Sequence, residues 1–294
     1  MELPDAALPG LYHGANDLAV AMQRRYTRAS SLRLVLLVVA AVTGALTFKT
    51  GRGADLAGFA TAVALVGAIA VEMWLVKEKP EKTWYDGRVL AESAKTLTWR
   101  FAMCAVPFPR DLRREDAERG YVDQLALLLK GAAPTVLQAQ PGAALNETVR
   151  GLRESSLEER RAVYLRDRIA DQSAWYAAKS KMNRERATRW KLTLVVTEAA
   201  GVVAALLRAI GVIDVDLAGI VAAMAGAGVA WLSLKKYEYL GQSYAYATNE
   251  LTIVRDRLTL ISAEETWAVE VGEAEEVTSR EHVLWRATRA AAAR

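Results

Sequence analysis

Leu217-Ala218-Gly219-Ile220-Val221-Ala222-Ala223-Met224-Ala225-Gly226-Ala227-Gly228-Val229-Ala230-Trp231-Leu232-Ser233-Leu234 carries no charge and is closed at once by Lys235-Lys236. A helix rises about 1.5 Å per residue and a bilayer's hydrocarbon core is roughly 30 Å thick. A lysine-bounded apolar run of this length therefore reads as a membrane span. Three further windows share its character: Leu34 to Phe48 without a charge, Leu56 to Val76 with only Glu72, and Leu192 to Leu207 with only Glu198. The shorter first and third windows must recruit flanks, Ser30, Ser31 and Arg33 in one case and Arg189 and Trp190 in the other. Arginines can do so by snorkelling. Over the whole chain, 52% apolar and 24% charged residues look ordinary, as does a mean hydropathy of +0.08. The two kinds of residue are segregated, however, and that excludes an ordinary soluble globule.

The flanks of the windows predict orientation. Arg24, Arg25, Arg28 and Arg33 precede the first, Lys77, Lys79 and Lys82 follow the second, Arg184, Arg186, Arg189 and Lys191 precede the third, and Lys235 and Lys236 follow the fourth. The hairpin loops hold only Lys49, Arg52 and Asp55, and Arg208, Asp214 and Asp216. By the positive-inside rule both termini and the middle of the chain are expected in the cytoplasm. Met1 to Gly10 holds acids and two prolines where a signal peptide has a basic region, so no cleavable leader is expected.

A shift of 158 residues lays Leu34 on Leu192, Thr61 on Gly219, Val76 on Leu234, Lys77 on Lys235 and Glu92 on Glu250. This predicts a parallel duplication of one hairpin, overlaid without a gap. The expected fold class is an all-α membrane protein: two transmembrane hairpins, four spans, extended by long cytoplasmic helices. Ala218, Ala222, Gly226 and Ala230, four residues apart, predict a face for close helix packing.

Beyond the second window Trp84, Arg88, Glu92, Lys95 and Trp99 fall on one helical face. Exposed pairs such as Arg88 with Glu92 are worth only about 0.2–0.5 kcal/mol, but the tryptophans require a packing partner. An inter-helix or inter-subunit seam is expected. Tyr164, Arg168, Gln172, Trp175, Lys179 and Asn183 repeat the design, after a helix start at Ser155 or Ser156 with Glu158 or Glu159 as capping partner. Tyr239, Tyr246, Glu250 and Arg257 form a third stripe.

The run from Trp84 to Arg100, WYDGRVLAESAKTLTWR, followed by Pro107-Phe108, resembles the signature of bacterial SLATT proteins, two-transmembrane effectors associated with SMODS nucleotidyltransferases and SLOG proteins. Tyr164 to Tyr176 and the closing Glu281-His282-Val283-Leu284-Trp285 are similar to it as well. The resemblance implies two SLATT-like units in tandem, 1–109 and 151–294, joined by an amphipathic helix and linker over 110–150. It also implies a membrane effector of a prokaryotic nucleotide-dependent conflict system that forms pores, with a nucleotide second messenger or a SMODS- or SLOG-type cytoplasmic partner as stimulus. It brings no catalytic or ligand residue with it, and no sensory domain is recognisable in the chain.

Enzyme chemistry finds little support. The single Cys104 and the separated His13 and His282 offer no metal set. Gly51-Arg52-Gly53 lacks the strand and the lysine-serine ending of a phosphate loop. Cys104 precedes the helix-breaking Pro107 and Pro109 and has no partner thiol. His282, beside Glu281 and after Glu270, Glu273, Glu275 and Glu276, is expected to pack in a helix. Arg110 to Lys130 predicts an amphipathic helix with Leu125, Leu128 and Leu129 on its apolar face, interrupted by Gly131, Pro134, Pro141 and Gly142 until helix resumes near Glu147.

No enzymatic activity, cofactor or nucleic-acid partner is expected. The expected partners are the lipid bilayer of the bacterial plasma membrane and further copies of the chain. The function expected is an ion-conducting pore gated from the cytoplasm; the alternative is a non-conducting scaffold for cytoplasmic partners. Glu198 is the first candidate for an intramembrane role, with Glu72 second. At the 158-residue shift Glu198 overlies Ala40, so the shared hairpin does not require it. A charge at that depth costs about 2–3 kcal/mol. It must therefore face water, a cation or a protein partner, or bond as the neutral acid to Thr43 or Thr193. Glu72, about one turn from Lys77, is expected to pair near the interface.

Overall fold

The computed structural model describes residues 2–46, 55–132, 143–213 and 215–276. The described residues form helices joined by short turns, without an extended strand: α1 Gly10–Gly44, α2 Leu56–Glu78, α3 Pro80–Ala102, α4 Arg114–Gly131, α5 Glu147–Glu154, α6 Leu157–Val163, a π-helical stretch Tyr164–Ala170, α7 Asp171–Ala209, α8 Leu217–Lys235, α9 Tyr237–Thr259 and α10, 264–276. Four of the helical rods are long and apolar enough to cross a membrane. The protein is an all-α membrane protein with two transmembrane hairpins, α1–α2 and α7–α8. The flanks that the short first and third windows need are helical too, since α1 has 35 residues and α7 has 39.

Of the described residues, those within Met1–Gln23, Glu81–Tyr176 and Tyr246–Arg294 make one compact unit, and those within Arg24–Pro80 and Ala177–Ala245 another. The second unit holds the spans and the first the polar helices.

In the membrane unit, each hairpin's second helix begins at an aspartate whose carboxylate accepts a free first-turn N–H: Asp55 from Ala57 at 3.0 Å and Asp216 from Gly219 at 3.1 Å. α7 ends in a Schellman turn, Val212 N–H donating to Leu207 and Gly211 to Arg208, and Gly211 takes the left-handed conformation this requires, φ 74°. Each hairpin then leaves the apolar zone through a left-handed lysine, Lys79 at φ 46° and Lys236 at φ 49°, whose N–H donates to the carbonyl of Leu75 or Leu232. The next helix starts at the following residue, Pro80 or Tyr237.

The duplication is real, but the gapless register is not. In both hairpins a leucine of the first helix meets a glycine of the second: Leu36 against Gly67 and Leu194 against Gly228. The leucines are 158 residues apart, whereas the glycines are 161 apart and the left-handed lysines 157 apart. Asp55 and Asp216, which cap the two second helices, are likewise 161 apart, so Thr61 corresponds to Ala222 and not to Gly219. The second hairpin has lost one helical turn between its glycine contact and its exit, which is why α2 has 23 residues and α8 only 19. At about 1.5 Å per residue, α8 spans ~28 Å, close to the minimum for a bilayer.

In the polar unit the first turns of α1 pack on α3 so closely that a side chain at Gly87 would meet the carbonyl of Ala15 at 3.0 Å. The core is aromatic: Trp99, Phe101, Phe108, Tyr121, Tyr164 and Trp267 are all buried. α6 starts at Ser156, whose side chain accepts from Glu159 N–H while Glu159 returns the bond, the capping box expected there. α4 begins at Arg114, later than Arg110, and buries Ala117, Tyr121 and Leu125, while Leu129 is exposed. Its contact face runs through Ala117, Tyr121 and Leu125, with Leu128 half-buried beside them, so of the expected leucines only Leu129 lies off it. α5 resumes at Glu147 as expected. Gly51-Arg52-Gly53, Pro134, Pro141, His282 and the motif Glu281 to Trp285 lie outside the described residues.

Candidate functional site

Within the membrane unit the two acids differ. Glu72 forms an ion pair with Arg33 at 2.7 Å, across its hairpin, in place of the expected Lys77. Glu198 is exposed on α7 and has no hydrogen-bond or ion-pair partner among the described residues. The threonines that might have held it bond elsewhere. Thr43 shares a 2.8 Å bond with Thr61 and donates to the Val39 carbonyl. Thr193 donates to Arg189 one turn back, and Thr197 to Thr193, the usual competition of a helical hydroxyl for its own backbone.

The small-residue stripe also faces outward. Ala222, Gly226 and Ala230 are exposed and Ala218 half-buried, and a side chain built at Gly226 would meet nothing within 4 Å. Contact inside the hairpin uses another face of α8: a side chain at Gly228 would come within 2.6 Å of Leu194. The stripe therefore does not pack this hairpin, and it remains open to lipid or to another chain.

In the polar unit the first stripe is an intramolecular seam. Trp99 and Glu92 are buried, Arg88 pairs with Glu92 at 2.6 Å, Lys95 reaches Asp5 at 3.0 Å and Trp84 stacks on Tyr85 at 4.5 Å. Trp99 meets Tyr164 edge-on at 5.6 Å. The second stripe does not continue as a plain α-helical face, because Tyr164 and Arg168 sit in the π-helical stretch, a register often found at functional positions. There both side chains converge on Glu275 of α10. Arg168 donates two bonds to the Glu275 carboxylate, at 2.9 and 2.7 Å, and Tyr164 Oη donates a third at 2.9 Å. Arg168 and Glu275 are 2% and 0% exposed, which makes this the deepest ion pair of the unit among the described residues. Burial works to lower the Arg168 pKa, yet the Glu275 charge and hydrogen bonds outweigh it and hold the guanidinium above its usual range. Burial, and then the Glu275 charge, push the Tyr164 phenol well up. Further along the stripe Gln172 is half-buried and Trp175 is exposed, edge-on to Tyr176 at 5.3 Å. Lys179 belongs to the membrane unit, where its carbonyl accepts from Asn183. On α9 Tyr239 and Tyr246 are exposed and Glu250 half-buried, while Arg257 pairs with Glu270 at 3.2 Å.

Sequence reasoning named Glu275 only as one of several acids. A signal was present: Trp267, Val271, Ala274 and Glu275 share the buried face of α10, so Glu275 is the acid placed where apolar residues belong. Reasoning also missed the turn after α3. There Cys104 takes φ 54° and the Val106–Pro107 bond is cis, and four carbonyls of the neighbourhood meet buried donors. Arg153 reaches those of Phe101, Phe108 and Pro109, and Arg160 and Trp267 both reach Met103. Cations at the C-terminal end of α3 are favoured by its dipole. Cys104 itself is fully buried, its thiol directed to the Arg153 carbonyl at 3.5 Å, which makes it a packing residue. Nearby, Arg110, Arg114, Arg150 and Arg153 line a cleft of about 270 Å³ with Glu118 and Glu154. Those arginines are occupied internally, Arg114 and Arg150 by Glu118 and Arg110 by the carbonyls of Arg153 and Glu154. Among the described residues no group of three or more histidine, cysteine or acidic side chains could hold a metal ion.

Residues 9–161, just over half the chain, match the family model described as SMODS and SLOG-associating 2TM effector domain 3. Residues 164–285 match that described as SMODS and SLOG-associating 2TM effector domain 1. Each match contains one of the two hairpins. No curated protein and no solved structure matches the chain.

Proposed function

The chain belongs to the SLATT family of SMODS- and SLOG-associating two-transmembrane effector domains, carried here as two tandem units, and from that premise we propose that it is the membrane effector of a bacterial nucleotide-dependent defence system, acting as an ion-conducting pore built from several copies. The basic flanks support a plasma-membrane orientation with both termini in the cytoplasm, where a nucleotide signal or a SMODS- or SLOG-type partner would reach the polar unit. Four slender helices cannot enclose a wide aqueous path alone, so the lining comes from neighbouring chains. The observation that carries the reading is Glu198: an acid in the middle of a span, exposed on its hairpin and without a partner among the described residues, while Glu72 is neutralised by Arg33. Intramembrane acids of this kind line water-filled paths or meet partner helices. The outward Ala218, Ala222, Gly226 and Ala230 supply a face on which a second copy can pack.

Flux from proteoliposomes tests it. Purified protein is expected to release a trapped monovalent cation once activated, and in proportion to its oligomeric fraction. Tight impermeability across activating conditions, with stoichiometric capture of a cytoplasmic protein, would assign the chain to the scaffold class.

A further inference from the structure

Where α7 enters the apolar zone and α8 leaves it, the second hairpin carries a cleft of about 460 Å³. Ala187 and Leu232 form an apolar wall, Lys191 and Lys236 bring charge, and Ser233 and Gln242 bring polar side chains. Sequence fixes the level of this cleft in the bilayer. Lys191 immediately precedes the apolar run that starts at Leu192, and Lys236 stands two residues past its counterpart's end at Leu234. The rings of Trp190 and Trp231 lie 6.5 Å apart at the same level, and tryptophan concentrates at the boundary between hydrocarbon and headgroups.

The electrostatics of the cleft favour an anion. The charged residues of the lining are Lys191 and Lys236 against one acid, Glu238, and Arg186 lies over the ring of the lining Tyr237 at 5.9 Å. That acid pairs with Lys191 at 2.7 Å, but the two side chains are 59% and 60% exposed, and so open a pair is weak and exchangeable. The left-handed turn at Lys236 adds backbone donors. It restarts the helix at Tyr237, and the first bond inside α9 runs from Leu240 N–H to the Lys236 carbonyl at 2.9 Å. The N–H groups of Tyr237 and Glu238 therefore precede any intrahelical acceptor, at the positive end of the α9 dipole.

The geometry points to a binding site in this cleft for the headgroup of an anionic phospholipid. The phosphate faces Lys191, Lys236 and the start of α9, the polar headgroup faces Gln242 and Ser233, and the acyl chains follow Leu232 and Ala187. A zwitterionic lipid brings a cation of its own, which the lysines oppose. The first hairpin lacks the same arrangement: Pro80, which has no N–H, replaces Tyr237 after the left-handed lysine. The inference rests on the placement of α7 and α8 in a membrane and is independent of conduction.

Native mass spectrometry of the full chain, titrated with dioleoyl-phosphatidylglycerol against dioleoyl-phosphatidylcholine, tests it. The parent is expected to retain one phosphatidylglycerol per chain, the Lys191→Gln/Lys236→Gln double variant to bind it at least ten-fold more weakly, and Lys79→Gln/Lys82→Gln to behave as the parent. Equal retention of both lipids, an unaffected double variant, or an equal loss in the control pair would overturn the site. A photoactivatable phosphatidylglycerol on the unaltered protein gives a readout that no folding defect can disturb. Crosslinks concentrated in 187–191 and 232–242 support the site, and crosslinks spread evenly over both hairpins, or competed away by inorganic phosphate alone, contradict it.

Discussion

Arg168 and Glu275 show how a charged stripe becomes a core. Their side chains and that of Tyr164 are joined by three hydrogen bonds to the Glu275 carboxylate in a buried setting, and removing one charge strands the other. Arg168→Met is expected to destabilise the polar unit by about 3–5 kcal/mol, and Arg168→Met/Glu275→Met by less than either single change; urea unfolding followed by pulse proteolysis measures both. Additive losses would mean that the pair is not coupled. Tyr121 provides a pH signature. Burial pushes its phenol up to about 12, against the opposing hydrogen bond with Thr98. An unfolded tyrosine ionises near 10, so the stability this shift represents is whole below pH 10 and lost as pH rises toward 12. Replacing Tyr121 with phenylalanine should flatten the fall in stability over that interval, and an unchanged slope would show that the buried phenol does not contribute to it. Of these features the sequence disclosed Tyr164 and Arg168 through their spacing. Glu275 stayed hidden among acids because burial of a carboxylate depends on an arginine more than a hundred residues away.

At the level of elements, hydropathy marked all four spans, and the serine-glutamate capping box marked the start of α6. What it could not mark was the missing turn in α8, since the apolar composition near the exit is the same with or without four residues. The left-handed lysines escaped notice for a related reason: glycine or asparagine signals that conformation, and lysine does not. Gly226 and Gly228 of α8 give the clearest test at this scale. Leucine at Gly228 forces the Leu194 side chain to move and is expected to cost about 1–3 kcal/mol through overpacking. Leucine at Gly226, which faces open space, should leave the unfolding midpoint alone and shift the oligomer distribution in mild detergent toward smaller species. If Gly226→Leu lowers stability and spares assembly, the outward stripe is not a contact between chains.

Over the whole molecule, segregated charge and repeated hairpins made a multi-pass α-helical membrane protein legible from sequence, and the tandem family matches agree with that duplication. Partition into a membrane unit and a polar unit was harder to read, because each is assembled from separated stretches of chain and α7 contributes to both. Conduction is the central functional claim, and Glu198 is where it meets the structure. A carboxylate lining a cation path concentrates cations, and glutamine keeps its shape while removing the charge. Single-channel recording in planar bilayers under a salt gradient is the most direct measurement. Conduction through a Glu198-lined path predicts a cation-selective reversal potential in the parent and a clear loss of that selectivity, with assembly intact, in Glu198→Gln. Identical conductance and reversal potential in the two proteins, or an absence of channels from correctly assembled parent protein under activating conditions, would contradict it.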